Sequence, residues 1–255
     1  MKILIKIGSA LISQNNRINY KWLKQKVKEI SKLHKKGHDI VIVSSGAVAA
    51  GMEAEKITKR PKDTLKLQLL SGEGQIKLMK YYQDLFSRYK IKIAQVLLTH
   101  HNFDKETEEK AIVRIMNAYL TQRTIPIINE NDLISKEEFE SNKIFTDNDI
   151  LAALVAKCVK VDLAIILTDV DGLCKVDPKV NKCAELVEKV NYIDDKIKKM
   201  ASKDTNSLGL GGMYSKVKAA EIMTEQGVDV IVANGNKKIE DILNNKVKRT
   251  LFTKK

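Results

Sequence analysis

The stretch Lys203-Asp204-Thr205-Asn206-Ser207-Leu208-Gly209-Leu210-Gly211-Gly212-Met213-Tyr214-Ser215-Lys216 combines glycines, hydroxyls and a closing lysine just before an apolar-periodic segment, Val217 to Gln226. Glycines let a backbone approach an anion closely, and a helix start presents unsatisfied N–H groups and the positive end of its dipole. That chemistry suits a polyphosphate, with Lys216 in the first helical turn as a counter-charge. A second lysine, Lys6, closes an apolar run beside Gly8. Taken alone, it also reads as a strand end reaching solvent.

Three more clusters carry polar groups at the ends of apolar runs. Ile40-Val41-Ile42-Val43 turns through Ser44-Ser45-Gly46 into the small-residue segment Ala47 to Gly51. Such a helix start accepts a carboxylate or phosphate, with Ser45 adding a donor; a serine N-cap on a close-packed helix is the plainer alternative. Gly46 and Gly51 have the spacing of a Walker loop, but Met52-Glu53 stands in place of its Lys-Ser/Thr, which excludes a P-loop. Asn129-Glu130-Asn131-Asp132 follows Ile125 to Ile128, and Thr146-Asp147-Asn148-Asp149 precedes Ile150 to Val155. Capping explains one of these polar residues and not the set. Asp132 is the candidate partner for a substrate ammonium, Asn148 for the other end of that substrate, and Asp149 for orienting lysines around a transferred group. Mg²⁺ is an alternative user of these carboxylates, since it takes one or two of them with phosphate oxygens. Thr168-Asp169, after Leu163 to Leu167, suits a wall of a nucleotide pocket, although the Asp171-Gly172 that follows is also a common turn dipeptide.

The elements that must position these groups alternate. Val, Ile and Leu runs at Lys2 to Ile7, Asp39 to Ser44, Ile91 to Leu98, Ile125 to Asn129, Leu163 to Thr168 and Val228 to Ala233 read as strands covered on both faces. Amphipathic segments at Tyr20 to Lys35, Thr64 to Tyr89, Lys110 to Gln122, Asp149 to Lys157 and Ser215 to Gln226 read as the helices between them. Right-handed crossovers then predict a three-layer αβα sandwich around a mostly parallel open sheet. Ligands of such sheets sit beyond the carboxyl ends of the strands, where every cluster above falls. Ser135 to Lys143 reads as an exposed hairpin or loop.

Composition bounds the class. The 255 residues are 44% apolar, enough for a substantial core, and no run approaches the roughly 18 apolar residues of a membrane span. Met1 to Lys6 is too short and too charged for a signal peptide and reads as a first strand. Cys158, Cys174 and Cys183 show no C-x-x-C spacing, which fits a reduced, cytoplasmic location. The formal charge of +13 is almost all lysine, with six arginines among 45 basic residues. It is spread along helix faces such as Lys21 to Lys36, and aromatic residues make up only 5%. Both points argue against nucleic acid as the main ligand and for a field that attracts small anions. His34, His38, His100 and His101 fall in turns and loops, so a surface role is expected for them.

Taken together, Lys-x-Gly-Ser at Lys6 to Ser9, Ser-Ser-Gly-Ala-Val-Ala-Ala-Gly at Ser44 to Gly51, Ile-Asn-Glu-Asn-Asp at Ile128 to Asp132, Asp-Asn-Asp at Asp147 to Asp149, Leu-Thr-Asp at Leu167 to Asp169 and Gly-Gly-Met-x-x-Lys at Gly211 to Lys216 resemble, in this order, the motifs of the amino-acid kinase family. Within it, they resemble the branch that phosphorylates glutamate. The second and third motifs are the specific ones, and the resemblance covers essentially the whole chain. Leu210, Tyr214 and Ser215 depart from it where small hydroxyl residues are frequent, as does Thr146 where glycine is.

The resemblance implies an ATP- and Mg²⁺-dependent enzyme that converts L-glutamate to L-glutamyl 5-phosphate, the first step of proline biosynthesis. It implies one kinase domain over residues 1–255, with approximately 1–160 as the acceptor lobe and 161–255 as the nucleotide lobe, and no room after Thr250-Leu251-Phe252 for the PUA module of many bacterial members. By carry-over, Lys6, Thr168, Asp169, Gly211, Gly212, Met213, Tyr214, Ser215 and Lys216 contact ATP, and Ser45, Gly46, Asn129, Asp132 and Asn148 contact glutamate. Lys6, Lys216 and Asp149 form the catalytic group, and no protein metal ligand is assigned. A homo-oligomer and hand-off of the labile product to glutamyl phosphate reductase are also implied. Another member of the family acting on a different carboxylate is the nearer alternative; a non-catalytic RNA-binding module is the farther one.

Overall fold

The computed structural model describes residues 1–134, 148–176, 184–202 and 212–255. The exposed loop expected at Ser135 to Lys143, together with Phe145 to Asp147, Cys183 and the glycine-rich run from Lys203 through Gly211, lies outside the described residues.

The first strand, β1 (Lys2–Ile7), leads through a single short helical turn, α1 (Ser9–Ile12), and a small hairpin, β2 (Ser13–Gln14) with β3 (Arg17–Ile18), into α2 (Tyr20–Lys35). Next come β4 (Asp39–Ser44), α3 (Ala47–Ala54), α4 (Thr64–Ser87), β5 (Ile93–Leu98), a 3₁₀ turn at His100–Phe103, α5 (Glu106–Thr121) and β6 (Ile125–Glu130). The later part holds α6 (Asn148–Val159), β7 (Leu163–Thr168), β8 (Lys189–Val190), α7 (Asp195–Ser202), α8 (Met213–Glu225), β9 (Asp229–Asn234), α9 (Ile239–Leu243) and β10 (Arg249–Phe252). Among the described residues eight strands form one sheet in the order β5-β6-β4-β1-β7-β9-β10-β8. All neighbours are parallel except β10 against β9. The αβα sandwich predicted from the apolar runs is therefore the architecture, with an antiparallel edge that those runs do not announce.

Strand parity decides which face each site residue meets, because successive side chains point to opposite sides. Ile3, Ile5 and Ile7, with Ile40, Ile42, Ile125 and Ile127, pack under α2, α3 and α4. Leu4, Val41, Val43, Ile128, Ala164 and Ile166 pack under α5, α6 and α8. Lys6 and Thr168 share the parity of this second set, so the strand ends carry them beneath α6 and α8. Asn129 and Ser44 share the parity of the first set and fall on the α4 side.

Local signals fix the helices. Asn19 caps α2 by accepting from Trp22 N at 3.2 Å, and Asp63 caps α4 by accepting from Lys66 N at 2.7 Å, each worth about 1 kcal/mol. From α2, Trp22 Nε1 donates to Gly235 O, Lys26 Nζ to Lys237 O, and Glu29 accepts from Ile239 N. The loop after β9 is thus tied to the opposite end of the chain. Helices α3 and α4 touch through glycines: a Cβ on Gly51 would collide with the backbone of Leu70, and one on Gly74 with Ala47 O and Gly51 N. Among the described residues no helix is long and apolar enough to cross a membrane.

Candidate functional site

Two consecutive residues at the start of α6 organise the carboxyl edge of the sheet. Asp149 is fully buried, with 0% of its surface exposed, and lies in the first turn, where the helix dipole favours negative charge. Lys6 Nζ pairs with its Oδ1, Lys216 Nζ lies 3.1 Å from its Oδ2, and Ser215 Oγ donates to Oδ2 at 2.8 Å. Burial pushes the Asp149 carboxyl up, but the Lys6 and Lys216 ammoniums together outweigh it and hold the group down at about 2. A carboxylate this dry stays ionised only because it is paired. The adjacent Asn148 faces the other group: its Nδ2 donates to Ser45 Oγ at 3.0 Å and to Asn129 Oδ1 at 3.3 Å.

Around Lys216, α8 begins after Gly212, whose carbonyl accepts from Ser215 Oγ at 2.9 Å and Lys216 Nζ at 3.3 Å. The N–H groups of the first turn, on Met213, Tyr214 and Ser215, have no intrahelical acceptors, as at any helix start. Met213 is buried and Tyr214 exposed. Gly8 keeps the space over Lys6 open: a Cβ there would sit 3.8 Å from Lys6 Nζ and 3.3 Å from Leu167 O. Thr168 Oγ1 donates to Asp169 Oδ1 at 3.1 Å, and Asn234 Nδ2 donates to Asp169 O at 3.3 Å. Asp169 itself is exposed at the strand end. Gly211 lies outside the described residues.

Around Ser45, Gly46 takes φ +112° at the turn into α3, and a Cβ there would approach Ile12 Cγ2 to 3.1 Å. Ser44 Oγ is 2.8 Å from Tyr82 Oη of α4. Asp132 is held from α4 as well: Ser71 Oγ bonds its Oδ2, and Gln68 Nε2 donates to its carbonyl at 3.1 Å. Burial raises the Asp132 carboxyl to about 6, with the Glu130 charge adding to the rise, while the Ser71 bond and the Arg60 guanidinium pull the other way. Glu130 is 2% exposed, and its Oε1 lies 3.6 Å from His100 Nδ1.

The structure brings Lys6, Asp149, Ser215 and Lys216 into direct contact, and Ser45, Asn129 and Asn148 into a second connected group. Asp132 stands apart from that second group in hydrogen bonding, anchored on α4. Sequence reasoning missed Ser71, Gln68, Gln75 and Arg60, and it gave Glu130 a place in a motif but no role. For the α4 residues the available signal was a polar row at helical spacing beside glycines on a helix that is otherwise apolar on that side.

With the geometry in place, comparisons add lineage. Residues 1–234 match the amino acid kinase family. The glutamate 5-kinase of Lactococcus lactis subsp. lactis is 37% identical over 257 residues, spanning 100% of this chain and 95% of the relative. Among solved structures, the carbamate kinase of Giardia lamblia superposes with a TM-score of 0.67 at 17% identity over 100% of this chain and 98% of that one. A UMP kinase of Ureaplasma parvum gives 0.64 at 19% over 99% and 98%. These two share the fold. Since the family match runs through nearly every element that builds the carboxyl edge, the chain belongs to the amino acid kinase family.

Proposed function

We propose that the chain transfers the γ-phosphoryl group of ATP to the side-chain carboxylate of L-glutamate, forming L-glutamyl 5-phosphate as the opening step of proline biosynthesis. The observation that carries this reading is the adjacency of Asn148 and Asp149. One holds the Ser45 and Asn129 group and the other the two lysines, so an acceptor and a phosphoryl donor would meet across a single helix start.

A γ-carboxylate with an ordinary pKa of about 4.3 is already a nucleophile at neutral pH and needs no general base. The difficulty is repulsion between two anions. In this reading Lys6 and Lys216 neutralise the transferring group and Asp149 keeps both ammoniums aimed at it. A carboxylate oxygen forms the new bond to Pγ as the bond from Pγ to the bridging oxygen breaks, and ADP leaves with that electron pair. Thr168, Asp169 and the segment Gly212 to Lys216 line the ATP side. Ser45, Gly46, Asn129, Asp132 and Asn148 line the glutamate side, with Asp132 facing the ammonium. Residues up to about 160 then act as the acceptor lobe and 161–255 as the nucleotide lobe.

Magnesium fits as an ion brought by the nucleotide. Among the described residues no group of three or more His, Cys, Asp or Glu side chains is arranged to hold a metal ion, and Asp149 already engages two ammoniums and a hydroxyl. Mg²⁺ takes few protein carboxylates and largely keeps phosphate oxygens and water; when bound, it supplies further charge neutralisation on the β- and γ-phosphates. A cytoplasmic setting, self-association and delivery of the labile acyl phosphate to a reductase belong to the same reading.

Hydroxylamine trapping tests it. With ATP and Mg²⁺, L-glutamate is expected to yield hydroxamate, and aspartate and N-acetylglutamate none. Hydroxamate from N-acetylglutamate and not from glutamate overturns the assignment.

A further inference from the structure

Helix α4 turns a row of polar side chains inward. Gln68, Ser71 and Gln75 recur at helical spacing and share their face with Leu78 and Tyr82. All five are buried. Ser71 and Gln68 are committed to Asp132, and Tyr82 meets Ser44. Gln75 lies one turn beyond Ser71 and two turns before Tyr82, so helical spacing places it on the inward face between the Ser71 contact with Asp132 and the Tyr82 contact with Ser44. It is 7% exposed, yet among the described residues neither Oε1 nor Nε2 has a hydrogen-bond partner. Asn148 Oδ1, whose amide nitrogen reaches Ser45 in the same region, is also buried without a partner. Buried polar groups are nearly always paired. A carboxamide unmatched at both ends, beside a carboxylate and a helix-start turn, marks the place of a polar guest.

We infer that Gln75 is a further acceptor-binding residue, whose carboxamide reads the head group of a free α-amino acid: Oε1 accepts from the α-ammonium and Nε2 donates to the α-carboxylate. This rests on the proposal that the pocket takes glutamate. Asp132 supplies charge toward the ammonium, and a point charge alone does not fix orientation. The amide supplies a donor and an acceptor at fixed separation, matching the α-carboxylate and α-ammonium of a free amino acid. An N-acylated acceptor keeps one N–H but loses the positive charge that Oε1 and Asp132 both favour, so the device selects against it.

Gln75→Met keeps length and burial while removing both polar ends. Hydroxamate kinetics with L-glutamate, and competitive inhibition by glutarate, which has both carboxylates and no ammonium, are measured on wild type and variant. The expected result is a KM for L-glutamate raised about 10–100-fold, with kcat and the KM for ATP little changed. The glutarate inhibition constant rises less, so the preference for glutamate shrinks. An equal loss for both compounds, or no loss, overturns the inference. If Gln75→Met melts too low for kinetics, Gln75→Glu serves: it retains an acceptor and replaces the donor with a charge that repels the α-carboxylate. Its KM for glutamate is expected to rise at least about tenfold, and an unchanged value overturns the inference. Wild-type activity is read first. Its absence with glutamate overturns the functional proposal together with the role of Gln75, whereas normal wild-type activity beside an unaltered variant overturns Gln75 alone.

Discussion

Lys6 and Lys216 reach opposite oxygens of one carboxylate, that of Asp149, and all three side chains are almost completely buried. The two ammoniums are thus fixed by a shared partner as well as by the strand and helix that carry them. Asp149→Asn leaves two cations facing each other in a dry site, and breaking a buried pair in this way costs about 3–5 kcal/mol. Urea denaturation is expected to show that loss, and hydroxamate assays a fall in turnover. Wild-type turnover in this variant would remove Asp149 from the machinery.

Acid should find the same residue. Its carboxyl sits at about 2 in the folded protein, below its ordinary value of 3.8. A depressed acid contributes stability that is fully present above the unfolded value and is lost as pH falls through the folded one. The window therefore runs from about pH 4 down to about pH 2, and the contribution is on the order of 2–3 kcal/mol. Stability measured by chemical denaturation across this range should drop more steeply in wild type than in Asp149→Asn.

Lys6→Ala and Lys216→Ala are each expected to lower kcat by about 10²–10³-fold, the scale of losing one charge-stabilising donor. The KM for glutamate should change little, because both lysines are directed to Asp149 while Asn148 carries the Ser45 and Asn129 contacts. Steady-state kinetics with each substrate varied in turn separates the two effects, and normal kcat in both variants would count against their assigned roles.

Asp132 titrates in the opposite sense. Burial and the neighbouring Glu130 raise it to about 6, so it is partly protonated in mildly acidic solution, and its ionisation costs the fold stability, which is lost as pH rises from about 4 to about 6. An ammonium guest needs the ionised form. The KM for glutamate is expected to fall as pH rises from about 5 to about 7. Asp132→Asn should bind glutamate weakly across the range and lose this dependence.

Gly46 adopts φ +112°, and any Cβ there would press on Ile12 and Ile18. Gly46→Ala is expected to cost about 1–2 kcal/mol from the left-handed conformation alone. It should also raise the KM for glutamate by tilting the Ser45 turn, while the KM for ATP stays near wild type. Thermal melts and paired kinetics check both.

Much of this was readable in the residues themselves. A parallel strand covered on both faces must be apolar throughout, so Leu163 to Thr168 and Asp39 to Ser44 declare their bounds, and α2 is capped where its periodicity begins. The motifs fall at strand ends because such sheets leave no other place for polar side chains. The edge was harder. Strand β10 alternates half-buried and buried residues over four positions, too few for a period to emerge. Helix α5 starts at Glu106, earlier than its apolar pattern suggests, because its charged first turn with Glu106, Glu108 and Glu109 carries no core residue. Gln68, Ser71 and Gln75 went unnoticed because polar residues at helical spacing ordinarily mark a solvated face. Only the fold shows that they are turned inward toward Asp132 and the Ser44 turn.

The glycine contacts between α3 and α4 have a mechanical corollary. With Gly51 against Leu70 and Gly74 against Ala47, no side-chain layer is available to act as a bearing, so neither helix can slide or roll without carrying the other. The Ser45 turn at the head of α3 and the Ser71 anchorage of Asp132 on α4 therefore form a single stiff jaw.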